Sequence, residues 1–195
     1  AVRKPAKVVP NEGDAMAALA APGARRIEAE YYTPHLAHAT MEPPAATARV
    51  ADGKCEVWAC VQSPYGTRGD VAKALGLPEE AVTVNVTLLG GGFGRKSKCD
   101  FAIEAALLSR AAGGAPVKVI WTREDDLRHG FYHTVEADRL EAALGADGSP
   151  TAWLHRSAWP SILSTFAPDP KLGMPLELAM GMVDMPFAIP NIRME

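Results

Sequence analysis

The chain alternates short apolar runs with turn residues, a pattern that predicts many short β-strands and few helices. Asp52-Gly53 separates two apolar runs and is a strong signal for a β-hairpin, and Asp147-Gly148 predicts a second hairpin. The run at residues 117–121 is apolar enough to predict a buried strand. Further strands are predicted over residues 27–32, 48–50, 55–61, 82–89, 134–144 and 151–159.

Two main helices are predicted between the strands. Apolar spacing predicts a helix over residues 69–75, and Gly76 ends it. A longer apolar stripe predicts a helix over residues 101–112, with Ser97 and Asp100 before it at the spacing of a capping box. Shorter helical turns are predicted over residues 14–19 and 124–128. The expected fold class is α+β, a mixed β-sheet with hairpins and two main helices.

Composition divides the chain into three parts. Residues 1–26 are rich in Ala, Pro and Gly and predict a linker or the end of a preceding region, since Ala1 in place of Met suggests a beginning upstream. Residues 27–159 are expected to form one domain. Residues 160–195 are rich in Pro and Met and too apolar for water, so we expect an extension that packs on regions outside this chain. The chain is therefore interpreted as a fragment.

Composition and charge exclude several classes of protein. The 195 residues are 48% hydrophobic and 22% charged, as in a globular protein with a real core. A net charge of -3 gives no overall field for nucleic acid, and no apolar run reaches about 18 residues, so neither a nucleic-acid partner nor a membrane span is predicted. Cys55, Cys60 and Cys99 fit no zinc ribbon or redox pair, and the first two are expected to be buried.

A glycine-rich loop is the most informative motif. Gly90-Gly91-Gly92-Phe93-Gly94-Arg95-Lys96 follows a predicted strand and precedes a predicted helix. This arrangement aims backbone N–H groups at one point and suits an anion such as a phosphate or an oxo ligand, and Arg95 and Lys96 add positive charge. The spacing fits neither a P-loop nor a dinucleotide fingerprint. A flexible connection and a phosphate- or nucleotide-binding protein are the alternatives on this loop alone.

Two upstream motifs narrow the choice. His38-Ala39-Thr40-Met41-Glu42-Pro43 comes first, followed by Gln62-Ser63-Pro64 and, shortly after, Arg68. With the glycine-rich loop in this order, residues 28–159 resemble the molybdenum-binding large subunit of the xanthine oxidase family. The arginine-lysine ending of the loop and the short Met-Glu-Pro run are most similar to the isoquinoline 1-oxidoreductase β-subunit branch, which includes related aldehyde dehydrogenases.

The resemblance implies a set of cofactor-binding residues. Gln62 resembles the family glutamine whose side-chain amide donates to the apical ligand of molybdenum, a task that suits a neutral donor. The loop resembles the stretch whose backbone lies beside the dithiolene and the metal oxygens, namely Gly91, Gly92, Phe93, Gly94 and Arg95. Phe93 is also expected to wall the site against water. For Lys96, a solvated charge at the helix start and a cofactor contact are both left open. No residue is expected to ligate the metal directly.

The resemblance also implies a reaction. The full-length subunit would hydroxylate an N-heterocycle or an aldehyde with water as the oxygen source. Purine-oxidising members carry a glutamate where Ser97 stands, so xanthine is not the expected substrate. The family's catalytic base is a glutamate in a later glycine-rich segment that nothing in this chain matches, so no catalytic residue is expected here. The alternative is a non-catalytic structural or interaction module derived from the same family.

Cofactor and partners follow from the same resemblance. The full-length protein is expected to carry a molybdenum-pterin cofactor in the cytosine dinucleotide form, and the isolated fragment is expected to be inactive and without it. Iron–sulfur clusters need cysteine quartets that this sequence lacks, which implies a separate small [2Fe-2S] subunit. The other expected partners are the remainder of the large subunit and a small-molecule substrate. The compartment is left open between the bacterial cytoplasm and periplasm.

Weaker groups of polar residues have simpler interpretations. His35, His38 and Glu42 would have metal-ligand spacing on a helix, but flanking prolines favour a loop without metal. Asp125-Asp126 is expected to be a charge pair at a helix start rather than an acid–base dyad. Arg123 with Glu124 is a candidate internal ion pair below the site.

Overall fold

The computed structural model describes residues 5, 7–167 and 173–195. Its strands and helices are β1 (Val9–Glu12), α1 (Ala15–Ala20), β2 (Arg25–Thr33), β3 (Ala45–Ala51), β4 (Lys54–Ala59), α2 (Pro64–Leu75), β5 (Val82–Val86), α3 (Asp100–Ala111), β6 (Val117–Ile120), α4 (Arg123–His129), β7 (Glu136–Leu144), β8 (Pro150–Ala158), α5 (Pro175–Leu178) and β9 (Ile192–Met194). Short 3-10 turns lie at Glu79–Ala81, Arg95–Ser97 and Ile162–Thr165. No helix among the described residues is long and apolar enough to cross a membrane. The α+β prediction is confirmed.

The chain divides into two compact units. The first unit combines residues up to 36 with residues from 134 onward, and the second unit consists of residues 37–133. These boundaries differ from the changes in composition at 26/27 and 159/160, because β2 pairs with β7 along its full length although the second unit lies between them in sequence. The functional domain over residues 27–159 stays a prediction. Residues 1–4, 6 and 168–172 of the predicted linker and extension lie outside the described residues.

The first unit is built on a five-stranded sheet in the order β1-β9-β8-β7-β2. Strands β7 and β8 form the predicted hairpin, in which Gly148 has a positive φ of 85° that favours glycine at the turn. Helix α1 packs Leu19 against Ala143 and Leu154 on this sheet. Its N-cap is Asp14, whose carboxylate accepts the N–H of Ala17 at 2.9 Å.

The Pro/Met-rich extension packs in part within the chain. Four of its apolar side chains form a buried cluster, against which Trp153 and Trp159 pack: Met182, Ile189, Ile192 and Met194. The expectation that the whole extension packs elsewhere is therefore wrong for these residues, which cover apolar side chains of β8 and pair β9 with it. Packing on regions outside this chain stays a prediction for Leu176, Met180 and Phe187, which are exposed.

The second unit is built on a four-stranded mixed sheet in the order β5-β4-β3-β6. The β3–β4 hairpin turns through Asp52 and Gly53 at φ values of 54° and 71°, the positive pair that a two-residue hairpin turn of this hand requires. Its core joins the sheet to α2 and α3 through residues such as Val57, Val71 and Phe101, all fully buried. Strand β6 lies at the sheet edge with Ile120 62% exposed, so the predicted buried strand is wrong there.

Both main helices are confirmed, with different starts. Helix α2 begins at Pro64 rather than at residue 69, because proline is tolerated in the first turn, where its missing N–H has no helical partner. Helix α3 has Cys99 at its N-cap without a side-chain cap. The predicted capping box is wrong, because Ser97 lies in a preceding 3-10 turn and the carboxylate of Asp100 binds Arg95 instead.

Candidate functional site

The three sequence motifs meet in the second unit. The Glu42 N–H donates to the Gly90 carbonyl at 3.0 Å, and the Gly90 N–H donates to Glu42 Oε2 at 3.0 Å. The Gln62 N–H donates to the Lys96 carbonyl at 2.9 Å. Segments that are far apart in sequence are thus joined by backbone hydrogen bonds at one place, where β4 and β5 end and α2 and α3 begin.

The side chain of Gln62 rests on the glycine-rich loop. Its Oε1 accepts the Gly94 N–H at 3.0 Å, and a Cβ at Gly92 would lie 2.3 Å from that oxygen. Only glycine therefore fits at position 92 with Gln62 in this place. Because Oε1 is the acceptor, the amide orientation is fixed and its NH₂ group is left as a donor, which hydrogen-bonds to no residue in the described part of the chain.

The first half of the loop carries a row of backbone donors. The N–H groups of Gly91, Gly92 and Phe93 make no hydrogen bond to any described residue, whereas the Arg95 N–H donates to the Gly92 carbonyl at 2.9 Å. Phe93 has a φ of 52° and its side chain is 67% exposed, so the predicted wall against water stays a prediction. With the Gln62 NH₂ group, this row can receive an anionic or electron-rich ligand.

The Arg95 side chain points into the protein. Its guanidinium is 1% exposed and binds both carboxylate oxygens of Asp100, at 3.0 and 2.9 Å. The rings of Trp121 and Phe131 lie 5.2 and 5.4 Å from its central carbon, within range of cation–π attraction. The expectation that Arg95 directs positive charge at a ligand is therefore wrong. Contact between the cofactor and the backbone of Arg95 stays a prediction.

Lys96 is fully buried and forms an ion pair. Its Nζ lies 2.7 Å from Glu42 Oε2, so both alternatives from the sequence, a solvated charge and a cofactor contact, are wrong. Burial raises the pKa of Glu42, but hydrogen bonds from Lys96 and Gly90 outweigh it, and the net pKa is lowered. Glu42 is thus held as a carboxylate. Sequence reasoning missed this role, for which the only signal was a glutamate inside the first motif.

Arg123 holds the first motif from the other side. Its guanidinium donates to the carbonyls of Thr40 and Met41, and its ion pair is with Asp126 at 2.7 Å rather than with Glu124. Arg123 pairs with Asp126 and not with Glu124 because residues three apart on a helix face each other, whereas adjacent residues do not. Asp125 caps α4 together with Thr122, so the charge pair predicted at this helix start is confirmed.

The remaining titratable groups near the site have structural contacts. His38 Nδ1 lies 3.0 Å from the Phe131 carbonyl, and its ring is 4.1 Å from that of His133. Burial and His133 lower the pKa of His38. No group of three His, Cys, Asp or Glu residues within the described ranges could hold a metal ion. All three cysteines are buried and free, and burial raises the pKa of Cys55 to about 11.

Comparison with known proteins gives consistent matches. The sequence matches the family described as molybdopterin cofactor-binding domain over residues 2–195. Isoquinoline 1-oxidoreductase subunit beta of Brevundimonas diminuta is 39% identical over 132 residues, 67% of this chain and 17% of that protein. Membrane-bound aldehyde dehydrogenase (pyrroloquinoline-quinone) of Gluconacetobacter polyoxogenes is 37% identical over 137 residues, 69% of this chain and 18% of that protein. The chain thus spans less than a fifth of the length of these relatives.

Solved structures share the fold. Aldehyde oxidoreductase from Desulfovibrio gigas aligns with a TM-score of 0.74 and 21% identity, over 96% of this chain and 20% of that one. Quinoline 2-oxidoreductase from Pseudomonas putida 86 aligns with a TM-score of 0.61 and 25% identity, over 77% of this chain and 20% of that one. The family resemblance drawn from the three motifs is confirmed. Because the family match covers nearly the whole sequence, the chain belongs to the molybdopterin cofactor-binding domain family.

Proposed function

We propose that this chain is part of the catalytic subunit of a molybdenum hydroxylase that oxidises an N-heterocycle or an aldehyde with water as the oxygen source. One observation carries the proposal: Gln62 lies on Gly92 with its NH₂ group free, beside a row of unpaired backbone N–H groups. Gln62 and Phe93 are exposed, whereas Gly91 is half-buried and Gly92 is buried.

The residues present fit the cofactor that the family implies. A molybdenum-pterin group presents electron-rich sulfur and oxygen atoms, which need hydrogen-bond donors and room for close approach. Gln62, Gly91, Gly92 and Phe93 offer the donors, and the missing side chain of Gly92 offers the room that lets the Gln62 amide lie against the loop. When bound, this group supplies the redox-active metal that takes up the two electrons of the oxidation.

The chain's own residues would bind and orient rather than transfer protons. Gln62 donates from an amide that Gly94 fixes in one orientation. Gly92 makes room for the Gln62 side chain, and the ring of Phe93 is proposed to shield one side of the site from water. Neither an amide, a phenyl ring nor a backbone N–H titrates near neutral pH, so the base must come from another part of the whole protein.

The substrate class is proposed from two features. Ser97 is neutral and half-buried where purine-oxidising relatives carry a glutamate, which argues against a purine that needs a charge-assisted contact. The names of the two relatives specify an isoquinoline and an aldehyde as the compounds on which those proteins act. We therefore expect activity of the full-length protein with aromatic N-heterocycles or with aldehydes.

Cofactor form and partners extend the proposal. The cytosine dinucleotide form is proposed from the resemblance to the isoquinoline branch. Gln62 is exposed and the chain spans less than a fifth of its relatives, so the isolated chain is expected to lack the cofactor. Electrons would leave through a separate [2Fe-2S] subunit, since this chain's cysteines are only three and all buried.

The test is the metal and pterin content of the full-length subunit, purified with its small partner from a host that makes the cofactor. We expect molybdenum and pterin near one per subunit, and turnover of an aldehyde or an N-heterocycle. Pyrroloquinoline quinone should be measured in the same sample, because the name of one relative specifies it. Quinone without molybdenum, or neither group, would overturn the proposal, and neither group would favour the non-catalytic module.

A further inference from the structure

We propose that Glu42 is a positioning residue that clamps the two ends of the glycine-rich loop and so holds its row of donors in place. This inference rests on the proposed function of the loop. Its central observation is that a single carboxylate oxygen binds both ends of the loop, Gly90 at the start and Lys96 at the end.

Two hydrogen bonds join the start of the loop to Glu42. Glu42 Oε2 accepts the Gly90 N–H at 3.0 Å, and the Glu42 N–H donates to the Gly90 carbonyl at 3.0 Å. A Cβ at Gly90 would lie 2.5 Å from the Cβ of Glu42, so position 90 also needs glycine. Gly90 hydrogen-bonds to Glu42 and to no other residue in the described ranges. The start of the loop is therefore held by Glu42 alone.

The contact at the end of the loop is an ion pair. Lys96 is fully buried, and its Nζ lies 2.7 Å from the same Glu42 Oε2. Its partner is 38% exposed at the side chain, so water screens the carboxylate in part while the ammonium is shielded. An ammonium buried in this way needs its counter-charge, which makes the end of the loop depend on Glu42 as well.

The loop needs an external clamp because of its composition. Glycines lose more conformational freedom on ordering than other residues, about 1–2 kcal/mol of backbone entropy per residue. The internal hydrogen bonds, from Arg95 to Gly92 and from Ser97 to Gly94, order only the second half of the loop. The first half includes Gly91, whose N–H belongs to the row of free donors, and it depends on the contact between Gly90 and Glu42.

Glu42 can act as a clamp because its own segment is fixed. The Thr40 hydroxyl donates to the Glu42 carbonyl at 2.7 Å. The guanidinium of Arg123 binds the carbonyls of Thr40 and Met41, and Asp126 holds that guanidinium in turn. The backbone that carries Glu42 is thus anchored to helix α4 through hydrogen bonds that do not involve the loop.

The test compares two double variants of the full-length subunit. Glu42→Leu/Lys96→Met removes both side-chain ties without leaving a buried charge, and the backbone hydrogen bond from Glu42 to Gly90 remains. Such replacements of buried pairs are often neutral for stability. Glu42→Gln/Lys96→Met keeps an oxygen for the Gly90 N–H and is the conservative variant. Arg68→Met/Glu79→Gln is the matched control, since it removes an exposed pair at 3.5 Å in the same unit.

We expect hydrogen exchange in a peptide covering residues 90–97 to accelerate about tenfold in the Leu/Met variant, because the two lost side-chain ties together correspond to about 1.4 kcal/mol of local stability. Molybdenum should dissociate faster by a similar factor. The Gln/Met variant should recover part of both effects, and the control should match the wild type. The thermal midpoint should stay near the wild-type value in all three.

Wild-type exchange in both double variants would overturn the clamp. So would accelerated exchange that is equal in the Leu/Met and Gln/Met variants, because the Gly90 contact would then contribute nothing. If the Leu/Met variant does not fold, the Gln/Met variant decides. Exchange faster than in the wild type then supports the clamp, and exchange at the wild-type rate overturns it. Absence of molybdenum from the wild-type subunit would refute the proposed function, and the exchange measurement would still test the clamp.

Discussion

Asp100→Asn is expected to destabilise the second unit far more than the loss of an exposed carboxylate. The change is isosteric and removes the charge that neutralises a guanidinium with 1% exposure. The amide cannot accept from both arms of Arg95 as the carboxylate does at 3.0 and 2.9 Å. The buried guanidinium then keeps only the neutral amide oxygen of Asn as a side-chain acceptor, together with the faces of the two aromatic rings.

The magnitude follows from the burial of the two partners. Removing one member of a buried ion pair costs about 3–5 kcal/mol. Asp100 is 31% exposed, so solvent already screens part of the pair. The rings of Trp121 and Phe131 remain beside the charge and retain about 0.5–2 kcal/mol. We therefore expect the free energy of unfolding to fall by about 2–3 kcal/mol.

The assay is native-state hydrogen exchange of the 195-residue chain under increasing urea. Amides in α3 report on the second unit, and amides in β7 of the first unit are the internal reference. The control is Glu79→Gln, which removes the partner of Arg68 from an exposed pair at 3.5 Å and should cost less than about 1 kcal/mol. If α3 lost no more protection in Asp100→Asn than in Glu79→Gln, the reasoning from burial would be refuted.

Two further predictions concern the same unit. Ser109→Ala removes a fully buried hydroxyl that accepts from the Val50 N–H at 2.9 Å and donates to the Ala115 carbonyl at 2.7 Å. The free energy of unfolding, measured in urea, should therefore fall by about 2 kcal/mol. A decrease below about 0.5 kcal/mol would contradict this prediction. The lowered pKa of His38 means that the folded state favours the neutral ring, so stability should fall as the pH drops below 6.5. His38→Gln should reduce the change in the urea unfolding midpoint between pH 7.5 and pH 5. A change as large as that of the wild type would contradict the prediction and assign the acid sensitivity to other groups.

Local turn chemistry made much of the fold predictable. Asp52-Gly53 and Asp147-Gly148 predicted both hairpins because the backbone angles of tight turns restrict residue types. The start of α2 and the boundaries of the two units were not predictable in this way. The start depends on a proline that is neutral in the first turn, and the boundaries depend on pairing between β2 and β7, which no local pattern encodes.

The site was predictable as a set of motifs but not as a network of charges. Arg95 and Lys96 follow a glycine-rich loop and therefore look exposed in sequence. Each is buried instead, because Asp100 and Glu42 supply the counter-charges. The partner of Lys96 lies in a different motif, and only tertiary structure brings the two together. The same folding removes positive charge from the proposed cofactor surface and leaves neutral donors there.

The molybdenum content of Gly92→Ala in the full-length subunit tests most directly whether Gln62 and the glycine-rich loop form the cofactor site. A Cβ at Gly92 would lie 2.3 Å from Gln62 Oε1, so the exposed glutamine side chain must move away and lose its bond to Gly94. Gly23→Ala is the control, since Gly23 has a φ of 77° in the first unit with nothing within 4 Å, and strain there costs about 1 kcal/mol without touching the site. We expect Gly92→Ala to lose most of its molybdenum while its unfolding midpoint stays close to that of the control. Full molybdenum content in Gly92→Ala would contradict it.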